Sequence, residues 1–237
     1  MASREETLSY SDDTQAYEAF LAHPGDENAP VVLVCHAWAG LSDYERDAAR
    51  RVADMGFAGL CVDVYGAGKR GSTVEENQAL MNPLVGNRAE LQSRLNTAIE
   101  FARTLPGTDP SRTAAIGFCF GGLCVLDMAR MGADLKGVVS FHGIFRPAEN
   151  LKAPRISARV LALHGWEDPM ATPDDVSAFA KEMTDAGADW QLVAYGATAH
   201  AFTNPEANAQ ELGLMYHPVN KERSYRAAHA FLDECFS

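Results

Sequence analysis

Short apolar runs rich in β-branched residues recur along this chain, each followed by a stretch of helical periodicity. That alternation limits the fold more than any other feature. Val31, Val32, Leu33, Val34 and Cys35 form one such run, preceded by Pro30. A strand apolar on both faces belongs inside a parallel sheet, because crossover helices then cover it from both sides. The same pattern predicts strands over 57–64, 113–118, 135–141, 160–163 and 190–195. Between them, Ser42 with Glu45 three residues on makes a capping-box start for a helix that runs to Met55 and stops at Gly56. A helix over 88–105 carries Leu91, Leu95, Ala98, Ile99 and Ala102 on one face and ends at Pro106-Gly107. Further helices are expected over 121–131, 173–186 and 220–236, and a leading hairpin near 7–10 and 16–21. The expected fold class is α/β, a mostly parallel central sheet with helices on both faces. The 237 residues suit one domain over 1–237, with no repeat or linker. Segment 66–87 is looser, has a short helical pattern at 75–81, and reads as a lid.

The formal net charge of -12 argues against nucleic acid, whose phosphates need a basic surface, and against an anionic membrane surface. No apolar run is long enough to span a bilayer. Charges appear at once in Met1-Ala2-Ser3-Arg4-Glu5-Glu6, unlike a signal peptide. Five cysteines, Cys35, Cys61, Cys119, Cys124 and Cys235, are odd in number and irregularly spaced. Free thiols in a reducing cytoplasm fit them better than a disulfide framework. The expected protein is cytoplasmic, a monomer or small homo-oligomer.

Gly117-Phe118-Cys119-Phe120-Gly121-Gly122 stands where a predicted strand meets a predicted helix. This is the Gly-x-nucleophile-x-Gly form of a nucleophile elbow. A tight turn needs small neighbours and pushes the central side chain out at the carboxyl edge of the sheet. The helix that follows offers its positive dipole end to a thiolate. A phosphate loop is the other reading of these glycines, but no Gly-Lys-Ser/Thr follows and Gly-x-Gly-x-x-Gly is absent.

Two more strand ends carry complementary groups. His164-Gly165-Trp166-Glu167-Asp168 puts a carboxylate beyond the 160–163 strand, and Gly196-Ala197-Thr198-Ala199-His200 follows the 190–195 strand. Nucleophile, acid and histidine in that order is the order of α/β-hydrolases. Each residue has a bland alternative: Asp168 before Pro169 can cap a turn, Glu167 is a rival acid, and His200 can be a bonded loop histidine. His164 sits early on its loop, and His142 has no carboxylate nearby in sequence.

With these motifs, and with Val34-Cys35-His36, Val62-Asp63-Val64-Tyr65 and His200-Ala201-Phe202, nearly the whole chain resembles the dienelactone hydrolase family, including members with promiscuous phosphotriesterase activity. The resemblance implies an α/β-hydrolase fold and a Cys119, His200, Asp168 triad. It also implies an oxyanion hole from the backbone N–H groups of Ala37 and Phe120, and no metal or organic cofactor. Members that open dienelactones carry a glutamate where this chain has His36, and bind the substrate carboxylate with arginines. Residues 73–87 hold no Arg or Lys, and the position four after His200 is Asn204.

The expected activity is hydrolysis of small neutral esters or lactones through a thioester, with activated phosphotriesters as a side substrate. Trp38, Tyr65, Met81, Phe145, Trp166 and Phe202 are candidate pocket residues, and His36 is expected to tune the nucleophile or line the site, unless it only bonds local backbone. Two other readings remain: an amidotransferase-like amidase, against which His200-Ala201-Phe202-Thr203 lacks the following glutamate, and a ligand-binding module on the same fold, against which no triad member is missing.

Overall fold

Eight strands run in the order β1-β2-β4-β3-β5-β6-β7-β8 in the computed structural model, which describes residues 4–151 and 155–237. Met1, Ala2 and Ser3, the start of the stretch read for a signal peptide, lie outside the described residues. The chain divides into two compact units, Met1–Ile116 and Gly117–Ser237.

In the first unit, β1 (Arg4–Ser11) and β2 (Ala16–His23) form the expected antiparallel hairpin, and β2 pairs antiparallel with β4 (Ala58–Val62). Strand β3 (Ala29–Cys35) is buried at every residue and pairs parallel with β4, as its unbroken apolar run demands. Helix α1 (Asp43–Asp54) starts at Ser42 with the full capping box to Glu45.

The segment expected to be loose is more regular than its sequence suggests. Helix α2 (Val74–Gly86) extends past the 75–81 pattern and contains Pro83. Thr73 Oγ1 accepts the Glu76 N–H and secures its start. Asn87 closes α2 by donating its N–H to Pro83 O at 3.0 Å, then caps α3 (Arg88–Ala102) by accepting from Glu90 N–H at 3.2 Å. The five residues expected on the apolar face of α3 are all buried.

Strand β5 (Thr108–Phe118) starts earlier than the 113–118 run. The second unit continues with α4 (Phe120–Arg130), β6 (Gly137–Phe141), β7 (Arg159–Gly165), α5 (Pro173–Asp185), β8 (Trp190–Tyr195) and α6 (Pro218–Phe236). Strands β6, β7 and β8 are parallel, so their carboxyl ends share one edge. A small hairpin of β9 (Asn208–Ala209) and β10 (Leu214–Met215) was not expected; its strands are too short to leave a periodic signal. Arg130, among the largest fully buried side chains, ties α4 to α5 through Glu182. No helix among the described residues is long and apolar enough to cross a membrane.

Candidate active site

Cys119 stands between the last residue of β5 and the first of α4, with φ 56° and ψ -112°. A residue with a Cβ adopts such a backbone only where its surroundings enforce it. Its N–H donates to Phe141 O at 3.1 Å and its carbonyl accepts from Leu123 N–H at 3.2 Å, which fixes the turn from both sides. Gly117 is required here, since a Cβ on it would lie 2.1 Å from Gly121 O.

Asp168 and His200 meet from the loops after β7 and β8. His200 Nδ1 lies 2.7 Å from Asp168 Oδ2, and both side chains are fully buried. The other carboxylate oxygen, Oδ1, accepts the Met170 N–H at 2.8 Å. Gly165 lets the two loops touch, because a Cβ there would lie 2.5 Å from Ala199 O. The β10 hairpin holds His200 from outside: His200 N–H donates to Gly213 O, and Met215 N–H to His200 O. Asn220 on α6 donates to Thr198 Oγ1 at 2.6 Å and anchors the loop just before the histidine.

Burial opposes a charged His200. It is outweighed by the charge of Cys119, the hydrogen bond to Asp168, the hydrogen bond to Cys119 and the charge of Asp168, and the ring's pKa is raised to about 10. Nε2 itself makes no aligned hydrogen bond among the described residues. The influence of Cys119 on the ring without an aligned bond at Nε2 fits a loose nucleophile–base contact, which is usual before substrate is bound.

Two further histidines, set aside in the sequence, lie at strand ends of the same unit, and the first stands beside His200. His142 follows β6 at φ 39°, fully buried, with its ring edge-on to His200 at 5.2 Å between centroids. Its Nε2 shares a hydrogen bond with Thr203 Oγ1 at 2.7 Å, and Phe202 packs against it at 5.3 Å. Burial, then the charge of His200, push its pKa well down. His164, the penultimate residue of β7, is also buried and shifted down, mainly by burial. The sequence weighed these two only as rivals to His200 for the base and set both aside. Their shared signal was a histidine at each of two adjacent strand ends.

The remaining expected residues divide between the two units. In the second, Phe202 and Phe145 are buried, the latter stacked on Phe179 at 4.5 Å, while Trp166 is 45% exposed. Phe120 opens α4. In the first, Tyr65 is buried and donates its hydroxyl to Trp38 O, and Trp38 and Met81 are half-buried. His36 is buried, with Nδ1 2.7 Å from Ala37 O and Nε2 accepting the Val64 N–H. The Val64 bond makes Nδ1 the protonated nitrogen, so both are engaged with local backbone. The Ala37 N–H donates to Glu45 Oε1 at 3.0 Å. No group of three or more His, Cys, Asp or Glu among the described residues is arranged to hold a metal ion.

Residues 17–236 match the model of the dienelactone hydrolase family. An uncharacterised protein of Caenorhabditis elegans is 34% identical over 62% of this chain and 96% of its own length. A protein of Methylorubrum extorquens, provisionally named a carboxymethylenebutenolidase, is 28% identical over 79% of this chain and 67% of its own. Among solved structures, a dienelactone hydrolase-like promiscuous phosphotriesterase from metagenomic libraries superposes with a TM-score of 0.94 at 32% identity, covering 100% of both chains.

Proposed function

The chain belongs to the dienelactone hydrolase family, and from that premise we propose that it hydrolyses small neutral esters and lactones through a thioester on Cys119. His200 is the base and Asp168 the carboxylate that orients it. The observation that carries this reading is the buried 2.7 Å contact between His200 Nδ1 and Asp168 Oδ2, with Cys119 raising the proton affinity of the same ring.

With its pKa raised to about 10, His200 holds a proton at neutral pH, which suits a thiolate–imidazolium pair. The thiolate attacks the carbonyl carbon, and the oxyanion takes hydrogen bonds from the Phe120 and Ala37 amides. Each such donor is worth roughly 3 kcal/mol of barrier. The Ala37 N–H is bonded to Glu45 Oε1, a bond that this role requires it to give up. The imidazolium then gives its proton to the leaving alcohol, and neutral His200 takes a proton from the water that cleaves the thioester. Asp168 accepts the Nδ1–H in both the charged and the neutral state of the ring.

The lack of Arg and Lys in 73–87, with Asn204 after the histidine, favours neutral over anionic substrates. Trp38, Tyr65, Trp166 and Phe202 are the proposed apolar contacts, with His36 behind Ala37. The likeness to a promiscuous phosphotriesterase supports a side activity on activated phosphotriesters. A sulfur–phosphorus bond has the better leaving group, so the Cys119 adduct turns over where a serine adduct stalls.

A hydrolysis screen on wild type and Cys119→Ala tests the reading, using neutral aryl esters, matched carboxylate-bearing esters, lactones and a paraoxon-like triester. Wild type should prefer the neutral esters, and the triester should give a burst followed by a linear phase. Cys119→Ala should lose both activities. Full activity in that variant would sink the mechanism; a single burst with no linear phase would limit the triester to inactivation.

A further inference from the structure

His142 holds a backbone that a residue with a Cβ seldom adopts, at φ 39°. Such a conformation persists only where the surroundings fix it, and it is found most often beside functional groups. The His142 N–H donates to Leu163 O at 2.8 Å. The carbonyl just before it, Phe141 O, accepts the Cys119 N–H at 3.1 Å. His142 therefore follows directly on the carbonyl that holds the nucleophile's turn. Its side chain reaches the other catalytic element. Nε2 shares a 2.7 Å hydrogen bond with Thr203 Oγ1, and Thr203 stands three residues after His200 on the same loop. Both partners are buried.

The His142 ring packs against His200 at 5.2 Å between centroids and 69° between planes. Phe202 lies at 5.3 Å from it, and Phe118, the neighbour of Cys119, at 6.0 Å. Asp168 bonds the His200 ring at one nitrogen, which leaves the ring free to pivot about that bond; a second ring packed across it limits the pivot. A ring in that place must not itself carry charge beside an imidazolium. His142 Nδ1 has no hydrogen-bond partner among the described residues. An imidazolium donates through both nitrogens, so protonation would bury an unpaired N–H next to a cation. Burial, then the charge of His200, push its pKa well down, and it stays neutral while His200 holds its proton.

We propose that His142 is a positioning residue: through Thr203 it fastens the His200 loop to the end of β6, and its ring holds the His200 ring in line for Cys119. This deepens the Cys119–His200 mechanism above and rests on it. In this role His142 exchanges no proton and makes no bond to substrate. Because His200 serves both half-reactions, loosening it slows acylation and deacylation together and leaves substrate affinity nearly unchanged.

Thr203→Val cuts the bond without touching either histidine, and Thr203→Ser keeps the hydroxyl. His142→Phe keeps a ring and removes the same bond from the other side. The first measurement is the rate constant for alkylation of Cys119 by iodoacetamide at neutral pH, which needs no thioester. Thr203→Val and His142→Phe should each slow it by about 10-fold, within the roughly 30-fold that separates a full thiolate from an ordinary thiol of pKa ~8.5 at pH 7. The second is turnover of p-nitrophenyl acetate, with active sites counted from the burst. In both variants kcat should fall by about 10- to 100-fold while KM stays within about 2-fold of wild type. The double variant should lose no more than the worse single one, since both remove one bond. Thr203→Ser should stay near wild type in both measurements. Where His142→Phe does not fold, the Val and Ser variants at 203 decide alone. Wild-type rates in Thr203→Val, a loss in Thr203→Ser as large as in Thr203→Val, additive losses in the double variant, or a raised KM at unchanged kcat would overturn the proposal. If alkylation slows as expected but wild type forms no acetyl group on Cys119, the positioning role stands and the thioester reading has failed.

Discussion

At Cys119 a strained backbone and a proton-retaining histidine meet, a surrounding that Cys35 and Cys235 lack. Burial pushes the Cys35 thiol up to about 12 and Cys235 up to about 11. Neither has an imidazole among the causes of its shift. His200 responds to Cys119 by charge and by hydrogen bonding, both in the direction that keeps its proton. Removing the sulfur removes both effects and leaves Asp168 to work against burial. In Cys119→Ala, therefore, the His200 ring should titrate well below the wild-type value of about 10. Its ring nitrogens, followed by NMR across the alkaline range, give the measurement, and an unchanged titration would show that Cys119 does not hold the proton there. The elbow, acid and histidine were legible at this scale because each is a short motif at a strand end. The bonding of His36 was not, because it depends on where the Val64 N–H points, and no spacing encodes that.

Among elements, the loop after β6 is held by a helix residue far from the reaction. Arg130 is 1% exposed, forks onto Glu182 at 2.7 and 2.8 Å, and donates to Phe145 O and Arg146 O. It also lies 3.4 Å from the buried Asp127. Arg130→Met keeps the volume but removes the cation beside Glu182 and Asp127 and the donor to the Phe145 and Arg146 carbonyls. Removing one partner of a buried pair costs roughly 3–5 kcal/mol, so urea unfolding should show a loss on that scale. A change under about 1 kcal/mol would mean that solvent at Glu182 replaces the arginine, as it does for exposed pairs. The strands and most helices were legible from apolar periodicity, with ends shifted by a few residues. Helix α2 was under-read because Pro83 and Gly86 look like breakers, while its stability comes from the Thr73 cap and a direct hand-over to α3 at Asn87. Arg130 gave no signal at all, since an arginine in a helix reads as a solvated charge until its partners on α5 are known.

Over the whole molecule, the buried histidines set how stability depends on pH. His142 and His164 are held below their ordinary 6.5, each chiefly by burial. A histidine with a depressed folded pKa binds fewer protons folded than unfolded just below pH 6.5, so its contribution is present above that pH and is lost as pH falls. His200 has the opposite sign: raised to about 10, its contribution is complete below 6.5 and lost as pH rises through 10, so it adds nothing to the acid slope. In the window from about pH 6.5 down to 5, above most carboxylate titrations, each neutral histidine should add up to about 1.4 kcal/mol of lost stability per pH unit. Urea unfolding at several pH values in that window should give a steep slope for wild type and a clearly shallower one for the His142→Gln/His164→Gln double variant, whatever its absolute stability. Equal slopes would mean that both rings take up protons as readily in the folded protein as in the unfolded chain.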